Sequence, residues 1–228
     1  MITKNKLAIT LTTGLFFFTA CNNGTSTATD KDTTETATMS NTKNDTMDKK
    51  MNMDDMKKDN GLMSSMNTMM DKMSSMQMSG DFDMDFANMM IEHHQGAIDM
   101  SQEELKSGTD EKMKSMAQNI ISMQKEEQSK LKEIVKNSKP MKMGDEKHDE
   151  LSKEMDNMKA DMSKMQMTGN TDKDFAMMMV SHHESAVKMS KDELSHGMNA
   201  ELKKMAKKGI EDQTKEISEF KSWLSANK

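Results

Sequence analysis

The chain is written twice. A fixed shift of 89 residues carries Phe86 onto Phe175, the run Met73–Gly80 onto Met162–Gly169, and His93-His94 onto His182-His183. The same shift carries Met100 onto Met189, Glu104-Leu105 onto Glu193-Leu194 and Met116 onto Met205, with no gap. Matching residue types over that distance mean duplication. A unit too small to fold alone, once duplicated, packs its two copies around one core. The expectation is a helical bundle domain over 61–228, with repeat one at 61–140 and repeat two at 145–228.

Each copy reads as helices. Leu62, Met63, Met66, Met69, Met70, Met73 and Met76 recur at three- and four-residue steps, which places them on one helix face. Ser79-Gly80 is the expected stop. Asp83 and Asp85 offer capping carboxylates for a second helix that begins near Phe86 and ends at Ser107, with Gly108 as its C′ residue. A third begins at Thr109 and Asp110, carries Met113, Met116, Ile120, Met123 and Leu131 on one face, and ends before Pro140. Gly169, Asp172, Asp174 and Gly197 punctuate the second copy in the same way. The principal helices are predicted at 85–107, 110–137, 174–196 and 198–226, with accessory Met-rich helices at 61–79 and 145–167. Alternating β-branched runs are missing, so the fold class is all-α.

Composition enters at the core. Leu, Ile, Val and Phe together number 29, fewer than the 33 methionines. At about one residue in eight, those four types alone would mark a disordered chain. Methionine therefore builds the core, or little core exists. All 32 basic residues are Lys, Tyr is absent and Trp occurs once. Without Arg forks or stacking aromatics, and at a net charge of −6, the chain is not expected to bind nucleic acid.

The N-terminus reads as an export signal over 1–20. Lys4 and Lys6 precede an apolar stretch, Leu7–Ala20, too short to span a bilayer. Cys21, the only cysteine, follows directly, as in a bacterial lipoprotein signal, although Phe18 stands where Leu is usual. Lipidated Cys21 would tether the chain to a membrane in the cell envelope, at the periplasm or outer membrane surface. One Cys cannot form a disulfide within the chain. Residues 21–60 are polar and read as a disordered tether, with Met47, Met51, Met53 and Met56 in its second half.

The chemistry concentrates in the second helix of each copy. Met89 and Met90 lie one turn before His93, Met90 one turn before His94, and Met100 two turns after His93. The second copy repeats the stripe with Met178, Met179, His182, His183 and Met189. Thioethers beside imidazoles select copper: Met suits Cu(I), and His extends the site to Cu(II). Zinc would want Cys, carboxylate or more His, and calcium clustered oxygens, of which Asp81, Asp83 and Asp85 supply only part. Methionine at helical spacing also serves as plain core, and outside the His helices packing is the first expectation. His148 and His196 read as surface or capping residues.

The segment Met90-Ile-Glu-His-His-Gln-Gly-Ala-Ile-Asp-Met100 closely resembles the hallmark of the domain of unknown function 305 family. The later Ile210–Leu224 resembles that family's closing helix, and the likeness spans roughly residues 81 to 226. The resemblance implies an exported, ferritin-like four-helix bundle of two helical hairpins that binds copper through Met and His and supports copper tolerance. Residue by residue it points to Met90, His93, His94 and Met100, and to Met179, His182, His183 and Met189. Glu184-Ser185 replaces Gln95-Gly96 in the second copy, so the two sites can differ.

These readings lead to a metal-binding protein, not an enzyme, that sequesters, tolerates or hands on copper, and silver with it, to a copper-handling partner. A di-iron or di-manganese oxidase on the same scaffold is the rival. It needs Glu-x-x-His on two helices, and only Glu193-Leu-Ser-His196 fits, against Glu104-Lys-Ser-Ser107. A Met-rich envelope protein that docks a partner is the third reading.

Overall fold

The computed structural model describes residues 61–139 and 148–228. The expected signal, the tether with Cys21, and residues 145–147 of the second accessory segment lie outside the described residues. Six helices follow in order: α1 Gly61–Ser74, α2 Phe82–Ser107, α3 Glu111–Asn137, α4 His148–Lys164, α5 Thr171–His196 and α6 Ala200–Ala226. No strand occurs among the described residues, and the protein is all-α as its periodicity predicts. Helices α2 and α3 form one hairpin, α5 and α6 the other, and α2 meets α5 at the centre of the bundle. The accessory helices cover the central ones, α1 on α2 and α4 on α5.

Methionine does build the core. Met66, Met69 and Met73 of α1 are buried in one cluster with Met89, Met100, Met113, Phe82, Phe175 and Phe220. Burying such a side chain contributes about 1.5–3 kcal/mol, much as Leu would. Helix α3 departs from the expected face, because Gln124 and Gln128 take inward positions while Met123 is only half-buried. Gln128 Nε2 there donates to the Ile91 carbonyl and to Gln95 Oε1, tying α3 to α2.

The accessory helices are shorter than predicted. α1 ends at Ser74, where Ser74 Oγ donates to the Met70 carbonyl and Ser75 Oγ to that of Lys72. Serine hydroxyls that bond back onto helix carbonyls compete with the backbone and help unwind the last turn. α2 in turn starts at Phe82, earlier than expected, because Asp81 is the N-cap and accepts from the Met84 N–H at 3.1 Å. Asn170 takes that role for α5, so neither Asp172 nor Asp174 is a cap of its own helix. Gly108 and Gly197 are not left-handed C′ residues either, with φ of −71° and −63°. A Cβ at Gly108 would lie 2.1 Å from Glu104 Oε1, and one at Gly197 2.2 Å from Glu193 Oε1. These glycines make room for buried carboxyl groups. The positive-φ glycines are Gly80 (83°) and Gly169 (79°), in the turns that lead into α2 and α5.

The three alternating aspartates have separate duties. Asp85 accepts from the N–H groups of Ser79 and Gly80 and holds that turn closed. Asp83 reaches the other repeat and accepts from the N–H groups of Met198 and Asn199, where α6 begins. Its counterpart Asp172 accepts from Thr109 N–H, Thr109 Oγ1 and Asp110 N–H, each at 2.8 Å, where α3 begins. Each repeat therefore holds the first turn of the other's last helix. The reciprocity gives the bundle a pseudo-two-fold axis between α2 and α5.

Candidate metal centre

The central helices α2 and α5 are covered on several sides, which removes the predicted stripe from solvent. Met89, His93, Met100, Met178, Met179, His182, His183 and Met189 have no exposed surface, and Met90 and His94 retain 3%. The six methionines among them belong to the core cluster.

His93 and His182, equivalent under the repeat shift, meet on the pseudo-two-fold axis. Their ring centroids are 3.7 Å apart, with planes at 36°. His182 Nε2 lies 3.0 Å from the His93 carbonyl oxygen. That oxygen can only accept, so Nε2 carries the proton. Burial first, and the neighbouring imidazoles second, push both rings well below the usual histidine range, so both are neutral. Ring lone pairs lie in the ring planes. The rings are tilted, not parallel, and both His93 nitrogens and His182 Nδ1 are buried without a hydrogen-bond partner.

The second histidine of each pair is placed differently. His94 Nε2 lies 3.1 Å from Glu127 Oε2 on α3, and His183 Nε2 lies 2.8 Å from Glu216 Oε2 on α6. His183 Nε2 and Glu216 Oε2 are close but not hydrogen-bonded to each other. A carboxylate facing Nε2 favours the tautomer with its proton there and leaves Nδ1 as the lone pair. Nδ1 of His94 and Nδ1 of His183 are both buried without a hydrogen-bond partner. A buried unpaired nitrogen costs about 1–3 kcal/mol, which a bound cation would recover. Met90 and His94 also line one small cavity with Glu127 of α3 and Met205 of α6.

The carboxylates of the rival reading are used elsewhere. Glu193 packs against Asp83 at the α5–α6 turn, and burial first, then that negative neighbour, push its carboxyl up to about 9. Glu104 is pushed up to about 8 by burial and by Asp172. Burial raises Asp172 as well, but hydrogen bonds from Asp110 and Thr109 outweigh it and hold that group low. A protonated Glu104 thus sits beside an ionised Asp172. His196, half-buried, pairs with Glu150 of α4 at 2.6 Å and stands edge-on to Phe82. His148 opens α4. Among the described residues no three His, Cys, Asp or Glu side chains gather as ligands.

Sequence reasoning missed Glu127, Glu216 and Met205. The signal was present, because the 89-residue shift pairs Glu127 with Glu216, Gln124 with Gln213 and Met116 with Met205, all on helices facing the histidines.

A profile for the domain of unknown function DUF305 matches residues 23–135 and again residues 134–224. No curated protein matches the chain. Among solved structures, CopM in an Ag-bound form obtained by soaking is 27% identical, over 66% of this chain and 98% of CopM, with a TM-score of 0.49. CopM in its Cu(I)-bound form is 27% identical, over 63% of this chain and 96% of CopM, at 0.48. A DUF305 fragment from Deinococcus radiodurans is 20% identical, over 64% of this chain and 96% of the fragment, at 0.48. Two successive profile matches run along nearly the whole sequence, one for each repeat, and the chain belongs to the DUF305 family.

Proposed function

We propose that this protein binds copper, principally Cu(I), with Cu(II) and Ag(I) as further ions, and that it sequesters or hands on the metal in the cell envelope. The observation that carries this reading is a buried imidazole in each repeat, His94 and His183, with Nδ1 unpartnered and a carboxylate at Nε2. Met90 and Met179 lie one turn away. An imidazole lone pair beside a thioether is a soft, neutral donor set, suited to a monovalent soft ion and poor for calcium or magnesium. Glu127 and Glu216 stand at Nε2 of the two rings and leave Nδ1 as the available donor. His93 and His182 face each other between α2 and α5, and Met89, Met100, Met178 and Met189, buried on the same two helices, are the further thioethers of this donor set.

Binding, storage and transfer account for these residues without catalysis. Cys21 would carry lipid and hold the protein at the membrane, and a copper-handling protein would take up the ion. The test is a Cu(I) titration of the exported chain against a colorimetric chelator. Replacing His93, His94, His182 and His183 together with Ala should remove the tightest sites and leave the chain helical. Unchanged Cu(I) affinity in that variant would refute the assignment. Cys21→Ser should shift the protein from the membrane to the soluble fraction; retention on the membrane would refute the anchor.

A further inference from the structure

The cavity beside His94 measures about 20 Å³, room for one water-sized particle. Of its ten lining residues, eight recur unchanged in the other repeat under the 89-residue shift, Met90, His94, Glu127 and Met205 among them. The two that differ are Leu131, whose counterpart is Phe220, and Gly209, whose counterpart is Ile120. Both differences favour space around His94. On the other side Phe220 and Ile120 are buried at the equivalent positions. The Phe220 ring stands edge-on to His183 at 6.1 Å and to Phe175 at 5.6 Å.

Gly209 is informative because nothing steric requires it. A Cβ there would meet only Gln213 Nε2 and Ser190 Oγ, both at 3.9 Å, which is ordinary contact. Glycine inside a helix such as α6 is destabilising relative to alanine. What this one does is leave its side of the cavity unfilled, in a space lined by His94, which is 97% buried and whose Nδ1 has no hydrogen-bond partner.

We infer that the two histidine sites are unequal and that one soft monovalent ion, Cu(I) or Ag(I), is held tightly in the His94 cavity. Met90 and His94 of repeat one and Met205 of repeat two are its donors, while the His183 counterpart is closed by Phe220 and Ile120. The inference rests on the proposed copper function and makes it specific. The tight site belongs to both repeats at once, so neither half makes it alone. Neutral donors match a monovalent soft ion, and Glu127 supplies the compensating negative charge beside His94.

The experiment is Ag(I) and Cu(I) titration of the full exported chain under chelator competition, with native mass spectrometry counting retained ions. The wild type should keep one ion in its tightest class. Gly209→Ile and, separately, Leu131→Phe import the filling of the other repeat, and each should lower that affinity at least tenfold while the helical circular dichroism persists. Ile120→Gly combined with Phe220→Leu should open the second cavity and raise the tight class from one ion to two. Two equal tight ions in the wild type, or full retention in folded Gly209→Ile and Leu131→Phe, would overturn the inequality and leave the copper function standing. A wild type that keeps no ion would overturn both. Should the filled variants fail to fold, the wild-type count of one or two decides.

Discussion

Replacing Glu104 and Glu193 with Gln should flatten the pH dependence of stability on the alkaline side. Both carboxyls have ordinary values near 4.5 and are held up to about 8 and about 9 in the fold. Between those limits the folded chain keeps two protons that the unfolded chain has released. Stability therefore falls as pH rises, by at most about 1.4 kcal/mol per pH unit for each group. His93 and His182 act in the opposite sense: the fold keeps them neutral, so their contribution is lost as pH falls below about 6.5. The window from pH 6.5 to 8 isolates the glutamates, and over it the two together cost at most about 4 kcal/mol, with roughly half expected once the buried groups relax. A Gln amide can donate to Asp172 or Asp83 as the carboxylic acid does, and it cannot ionise. Urea unfolding followed by circular dichroism at pH 6.5, 7.25 and 8 should show the wild type losing stability and the double variant nearly level. Parallel losses in the two proteins would refute the carboxyl–carboxylate pairing.

Other substitutions test the frame that holds the site. Asp83→Ala leaves the Met198 and Asn199 N–H groups without their acceptor and should cost about 2–3 kcal/mol in chemical denaturation, because those bonds are to a charged group. Gly80→Ala or Gly169→Ala places a Cβ at φ near +80° and should cost about 1–2 kcal/mol each, read as a lowered thermal midpoint. Gly96→Ser introduces a Cβ 2.4 Å from Met69 Sδ, so α1 must shift, and thermal melts should show a loss of about 1–3 kcal/mol. Met→Leu at Met66, Met69 and Met73 should change stability by less than about 1.5 kcal/mol, and a drop in Ag(I) count in that variant would show that the α1 stripe also chelates.

The periodicity and the repeat were enough to place six helices in two copies, because duplicated three-and-four spacing leaves few alternatives. Boundaries were less legible. Asp81, Asp83 and Asp85 are chemically identical as caps, and only the turn at Gly80 decides that Asp81 serves α2 while Asp83 serves α6. Gly108 and Gly197 looked like left-handed stops, yet their need for glycine comes from Glu104 and Glu193 folding back onto the turn, a tertiary demand. The histidine helices were legible as a constellation, but not the division of labour within each pair. Which histidine meets its counterpart on the axis and which faces a glutamate depends on the crossing of α2 with α5 and on their packing against α3 and α6. The inequality of the two cavities was written in Leu131 and Gly209, but its meaning depends on knowing that both line one space.

The central claim is a mixed thioether–imidazole site for a soft ion at His94. X-ray absorption at the copper edge, on the full exported chain loaded with one equivalent of Cu(I), tests it most directly. Sulfur scatterers together with an imidazole nitrogen are predicted, and His94→Ala should remove the imidazole signature while sulfur remains. A shell of oxygen and nitrogen alone, or a spectrum unchanged by His94→Ala, would contradict the account.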